Sequence, residues 1–209
     1  MFKIFLTALT FVGIFFNSAS AQIIDKPIVA VMDFGKHSDA AEGINVNNIG
    51  VMVTEYIIEA LVESGQFHVI AKDFMEETLA AEGLDTSGII PPSRARRIGE
   101  ILNVRYIIYG NVNDVNGDTF TLNVISNGAD VHTVKALIIA RMMDVTTGDI
   151  VTAARGEGQS KSSKIKVGAS NVGYLTIGTK KIPQVSVHNA VKKAAYSMVT
   201  NLIQRLSDN

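Results

Sequence analysis

The sequence predicts an α/β fold, a mixed sheet flanked by helices, and three observations carry that prediction. Pro27 to Gly35 (PIVAVMDFG) and Val104 to Val112 (VRYIIYGNV) have the apolar, β-branched character of buried strands. From Ile49 the residues Met52, Val53, Tyr56, Ile57, Ala60 and Leu61 recur at three- and four-residue steps, one stripe of an amphipathic helix that stops near Gly65. Near the end, Val187, Val191, Ala194, Met198, Leu202 and Leu206 form a second stripe, with Lys192, Lys193 and Arg205 left to water and Ser186 as the expected cap.

The other elements follow in order. Lys36 to Asn48 is a polar loop, and Gln66 to Ala71 is a short strand. Asp73 with Glu76 three residues on is an aspartate form of a helix-start signal, for a helix ending near Ala81. After the turn-rich stretch Gly83 to Pro92, Ser93 is the expected N-cap of a helix holding Ala95, Ile98, Ile101 and Leu102, closed by Asn103. Asn116-Gly117 suits a tight hairpin, after which FTLNVI continues the sheet. Leu137 to Gly158 reads as two strands joined at Thr146 to Asp149, where Gly148 supplies the turn. No fixed-period repeat appears.

Residues 1–21 read as a signal peptide: Lys3 precedes the apolar run Ile4 to Phe16, and Ala19-Ser20-Ala21 gives the small-residue cleavage pattern. The expected mature chain is one domain over residues 22–209, exported to the periplasm or outer membrane. Nineteen Lys plus Arg against 20 Asp plus Glu provide no global field for nucleic acid. Zero cysteines exclude disulfides, thiolate metal sites and an acylated N-terminal cysteine, so the expectation is an exported protein that is not a lipoprotein.

Enzyme signatures are missing: there is no phosphate loop, no H-E-x-x-H and no G-x-S-x-G. The expectation is a non-enzyme without cofactor or metal. His37, His68, His132 and His188 lack ligand spacing, and His68 reads as a packed or edge residue of a strand. Arg94, Arg96 and Arg97 fall on the first turns of a helix, where they make either an anion site or, more simply, a solvated face. A hydrolase assembled from Asp33, His37 and Asp144 would need the fold to bring them together.

Two stretches, 115–134 and 158–182, are candidate membrane hairpins or, alternatively, a soluble hairpin and a mobile loop. In the first, Phe120, Leu122 and Val124 alternate with Thr121 and Asn123, and Asn127-Gly128 offers a turn toward Val131 and Thr133. In the second, Ile165 and Val167 are candidate lipid-facing residues, while Lys161, Lys164 and Lys166 are candidates for a lumen or interfacial water. A transmembrane strand needs about 9 to 11 residues, more than either stretch comfortably supplies twice.

The order VAVMDFG, long helix, FHVIAKD, SRARRIGEILNVRYIIYGNV, ARMMDVTTGDIV resembles the CsgG/HfaB family of curli-secretion channel proteins over nearly the whole mature chain. The resemblance implies a CsgG-like, TolB N-terminal-domain-like α/β domain at the periplasmic face. It also implies a homo-oligomer whose protomers donate β-hairpins to one outer-membrane barrel that passes unfolded secreted subunits. Two departures stand out. Channel members carry an acylated cysteine where this chain has Gln22, and their constriction loop carries Tyr, Asn and Phe where GKHSDAAEGINVNN has no aromatic residue. Asn45, Asn47 and Asn48 remain as candidates for a polar opening. The alternative is a soluble periplasmic scaffold or regulator that binds another envelope protein without forming a pore.

Overall fold

A computed structural model describes residues 26–36, 48–84, 91–124, 126–169, 175–178 and 182–208. The expected signal peptide, His37, Asn45 and Asn47 lie outside the described residues, as do the side chains of Val124, Lys166 and Val167.

The elements run β1 (Ile28–Val31), β2 (Gly35–Lys36), α1 (Ile49–Ser64), β3 (His68–Val69), α2 (Lys72–Ala81), α3 (Pro92–Leu102), β4 (Tyr106–Val124), β5 (Ser126–Asp144), β6 (Ile150–Ala169), β7 (Leu175–Gly178) and α4 (Gln184–Ser207). They build one mixed sheet of order β3-β1-β4-β5-β6. One flank of β4 is taken in turn by β1 and β2, both parallel to it, and then by antiparallel β7 at Thr119 to Leu122. Its other flank pairs with β5 from Tyr106↔Asp144 to Val124↔Asn127, interrupted by one irregularity between Val112 and Asp114.

Helices cover both faces of the sheet at its base. On one face α1 and α4 bury Val53, Ile57, Leu61, Val191, Met198 and Leu202 against Ile108, Ile138 and Met142. On the other, α2 and α3 bury Met75, Leu79, Ile98 and Leu102 against Met32, Ile107 and Met143. A fully buried Leu, Ile or Met contributes roughly 1.5–3 kcal/mol, so these two layers are the main source of stability. Gly156 and Gly158 let α4 sit directly on β6, because a Cβ at either would overlap the helix backbone at Ala194 or Ala190.

The α/β class and both long helices match the sequence expectation; several termini and turns do not. Pro91 precedes α3 and Pro92 opens it, so Ser93 lies inside the helix. Proline at the first helical position has its φ pre-set and no amide to leave unsatisfied. Pro183 likewise precedes α4, leaving Ser186 buried within it, and Ala71 rather than Asp73 precedes α2. Asn116-Gly117 makes no turn but pairs mid-strand with Lys135 and Val134, and Asn127-Gly128 pairs with Val124 and Asn123. Continuous cross-strand pairing outweighs local turn propensity there. Asn103 does close α3 and Gly148 does sit in the turn before β6, both at positive φ.

Candidate functional site

Beyond the helices, the outer halves of β4, β5 and β6 continue as a sheet, and side-chain parity sorts their residues onto two faces. The face that carries α1 and α4 at its base, here the inner face, is apolar there: Val112, Val115, Val134, Ala136 and Ile138 are all buried. Further out the same face becomes polar, with Thr119, Thr121, Asp130, His132 and Ser160 buried. These groups satisfy one another. Thr119 Oγ1 lies 2.9 Å from His132 Nδ1, Thr121 Oγ1 donates to Asp130 Oδ1 at 2.7 Å, and Ser162 Oγ lies 2.8 Å from Ser186 Oγ on α4.

The outer face does the opposite. Near the base it shows Asn116, Asp118, Lys135, Arg155, Glu157 and Gln159 to solvent, whereas toward the tip Phe120, Leu122 and Ile165 are 43%, 46% and 74% exposed. The exchange occurs at one height, since Asp118, Thr133 and Lys161 face each other across the three strands. The next outer rungs are Phe120-Val131-Ser163 and Leu122-Ala129-Ile165. An exposed apolar group facing away from a satisfied, buried polar row is the reverse of a soluble sheet packed on its core. Among the described residues no helix is long and apolar enough to cross a membrane.

The model of the family described as "Curli production assembly/transport component CsgG" matches residues 16–209. The chain belongs to the CsgG family. It is therefore an envelope protein of the CsgG-like fold. No curated protein matches it. Similar solved structures include the LpoB C-terminal domain from Escherichia coli, 17% identical over 63% of this chain and 81% of that one, with TM-score 0.45. Lipoprotein GNA1162 from Neisseria meningitidis is 16% identical over 65% and 84%, TM-score 0.44. The PelC dodecamer from Paraburkholderia phytofirmans is 10% identical over 85% and 89%, TM-score 0.40.

In this CsgG-family chain the residues singled out from sequence distribute unevenly. Phe120, Leu122 and Ile165 share the exposed outer face. Lys161 belongs to that face too, whereas Lys164 pairs with Asp130 on the inner side, so the lysines do not form one row. Val124, Lys166 and Val167 are placed on β4 and β6 by backbone alone. Among the described residues of segment 158–182, the end of β6 pairs with β5 and β7 pairs with β4. Asn48, exposed and left-handed at φ 61, starts α1.

The other candidates separate. Asp33 pairs with Lys72 at 2.8 Å beyond the end of β1, while Asp144 pairs with Arg105 at 2.8 Å at the end of β5. Burial raises the Asp144 pKa, but the Thr146 and Thr147 amides and Arg105 outweigh it and hold the group below its ordinary value. Arg96 is exposed and bound to Glu100 at 3.0 Å, as on a solvated helix face. His68 is exposed on β3 and His188 on α4, and no group of three metal-ligating side chains converges among the described residues. The buried polar row of Thr119, Thr121, Asp130 and His132 was not foreseen; its only sequence signal is that these residues share parity with the core positions nearer the base.

Proposed function

We propose that this chain is an exported, non-enzymatic component of the secretion or assembly of curli-like surface material, acting as a homo-oligomer. The outer halves of β4, β5 and β6 contribute to a shared outer-membrane barrel that passes unfolded subunits. The exchange of polarity between the two sheet faces at the Asp118-Thr133-Lys161 height carries this reading. Family membership supports it. Joined edge to edge, such sheets turn Phe120, Leu122 and Ile165 to lipid and the threonine, aspartate and histidine row to water, and closure leaves no open edge in the membrane.

The test is membrane fractionation and the detergent-solubilised mass of the protein expressed from its full sequence in a double-membraned host. A discrete ring extracted only by detergent is expected. Leu122→Arg should deplete it, because a lipid-facing charge costs about 2–4 kcal/mol at mid-membrane. A periplasmic monomer or dimer retires the barrel. A second reading, a periplasmic scaffold without a pore, is favoured by the inner polar row already being paired to itself and by β7 lying against β4. That reading predicts partner binding unaffected by Leu122→Arg.

A further inference from the structure

Between the edge of β6 and the second to fourth turns of α4 lies a cavity of about 450 Å³ lined by Ser160, Lys161, Asn189, Lys192, Lys193 and Tyr196. Three of these six residues are cations and none is a carboxylate. Lys192 is held in place rather than swinging freely: its Nζ donates to Glu59 at 2.8 Å and lies 5.5 Å and 5.2 Å from the ring centres of Tyr56 and Tyr196. Lys193 Nζ donates to the Gln159 carbonyl at 3.1 Å, which draws it to the β6 side of the cavity. Ser160 and Asn189 are polar, uncharged residues of the same lining. Glu59 on α1 answers the charge of Lys192, so Lys161 and Lys193 on the β6 side carry the positive charge on offer to a tetrahedral oxyanion.

A second observation selects the source of that anion. Lys161 lies on the outer face, one rung before Phe120-Val131-Ser163 and two before Leu122-Ala129-Ile165. At about 3.3 Å per residue along a strand, it stands about 13 Å from Ile165, at the border of the exposed apolar tip. A cation at the edge of a lipid-facing segment lies at headgroup depth. We propose that this cavity binds the phosphate of an anionic lipid headgroup, anchoring the sheet at the depth to which its apolar tip enters the bilayer. The proposal rests on the membrane contact inferred above, but it requires no pore.

The test is flotation of the full chain with phosphatidylcholine vesicles prepared with and without phosphatidylglycerol, together with release of an entrapped dye. The wild type should prefer anionic vesicles, and Lys161→Gln with Lys193→Gln should weaken binding to them about fivefold per lysine, the effect of the ~1 kcal/mol that a basic side chain contributes near an anionic surface. The double arginine variant should keep the preference, which separates lost charge from lost fold. Loss of dye release with the preference retained would sink the pore and leave the headgroup site standing. Dye release with equal binding of both vesicle types would overturn the site and spare the pore. Inorganic phosphate at matched ionic strength distinguishes a free oxyanion: if it titrates the cavity while anionic vesicles gain no preference, the lipid assignment is wrong.

Discussion

Replacing Gly156 by alanine tests how closely α4 and β6 pack. A Cβ there would overlap the Ala194 carbonyl oxygen and the Met198 amide, both helix backbone, so no side-chain rotation relieves the clash. To restore ordinary contact α4 would have to lift by about 1 Å. That movement loosens Met198 and Leu202, which are fully buried on the sheet. Overpacking costs about 1–3 kcal/mol, and a clash with backbone belongs near ~3 kcal/mol. For a domain of this size each kcal/mol moves Tm by about 2–4 °C, giving a drop of about 6–12 °C by circular dichroism melting. Gly158→Ala meets the Ala190 oxygen in the same way, and the double variant should fall short of the sum because one lifted helix relieves both sites. A Gly156→Ala drop below about 2 °C, no larger than that of the exposed control Gln159→Ala, would refute the close-packing argument.

Thr119→Val should cost about 1–3 kcal/mol in denaturant unfolding because it strips a buried His132 nitrogen of its partner, whereas Thr119→Val with His132→Leu should recover much of that loss. For Asp144 the folded pKa is depressed, so its stabilising contribution is present above the unfolded value and is lost as pH falls through the folded one. Asp144→Asn should therefore cost about 2 kcal/mol at neutral pH and flatten the acid limb of a stability-pH profile; an unchanged limb counts against the assignment. Burial and hydrogen bonds to Glu63 and Glu59 push the Tyr196 phenol up to about 12, so ultraviolet titration should show a late-ionising tyrosine that Tyr196→Phe removes.

The fold class was legible because α1 and α4 each bury a helical stripe and β1 carries an apolar run, patterns dictated by burial itself. Helix starts were less so: proline preceding α3 and α4 sets the entry by its fixed φ, and the nearby serines that mimic caps fall inside. The outer half of the sheet was legible by parity, since Phe120 and Leu122 alternate with Thr121 whatever the register. Parity also separates Lys161 from Lys164, a distinction that charge clustering obscures. Register was not legible. The Thr119-His132 contact and the pairing of β7 with β4 join residues whose separation leaves no local trace.

The last strand of the main path, β6, has a long outer edge, and α4 guards part of it. Arg205 donates to the Ala153 carbonyl and Asn201 to that of Arg155, both at 2.9 Å, while Lys193 reaches Gln159 at 3.1 Å. The helix thus works as a ruler laid along the strand. Where its side chains occupy the carbonyls, an incoming strand finds its acceptors taken, and these bonds end at Gln159, two residues before the height of Lys161 where the sheet faces exchange polarity. Any neighbour that extends this sheet must begin pairing at about Lys161 and proceed toward Ala169. In the proposed homo-oligomer the length of α4 would thereby limit how far down the α/β base a seam between subunits runs, and shortening the helix would lengthen that seam.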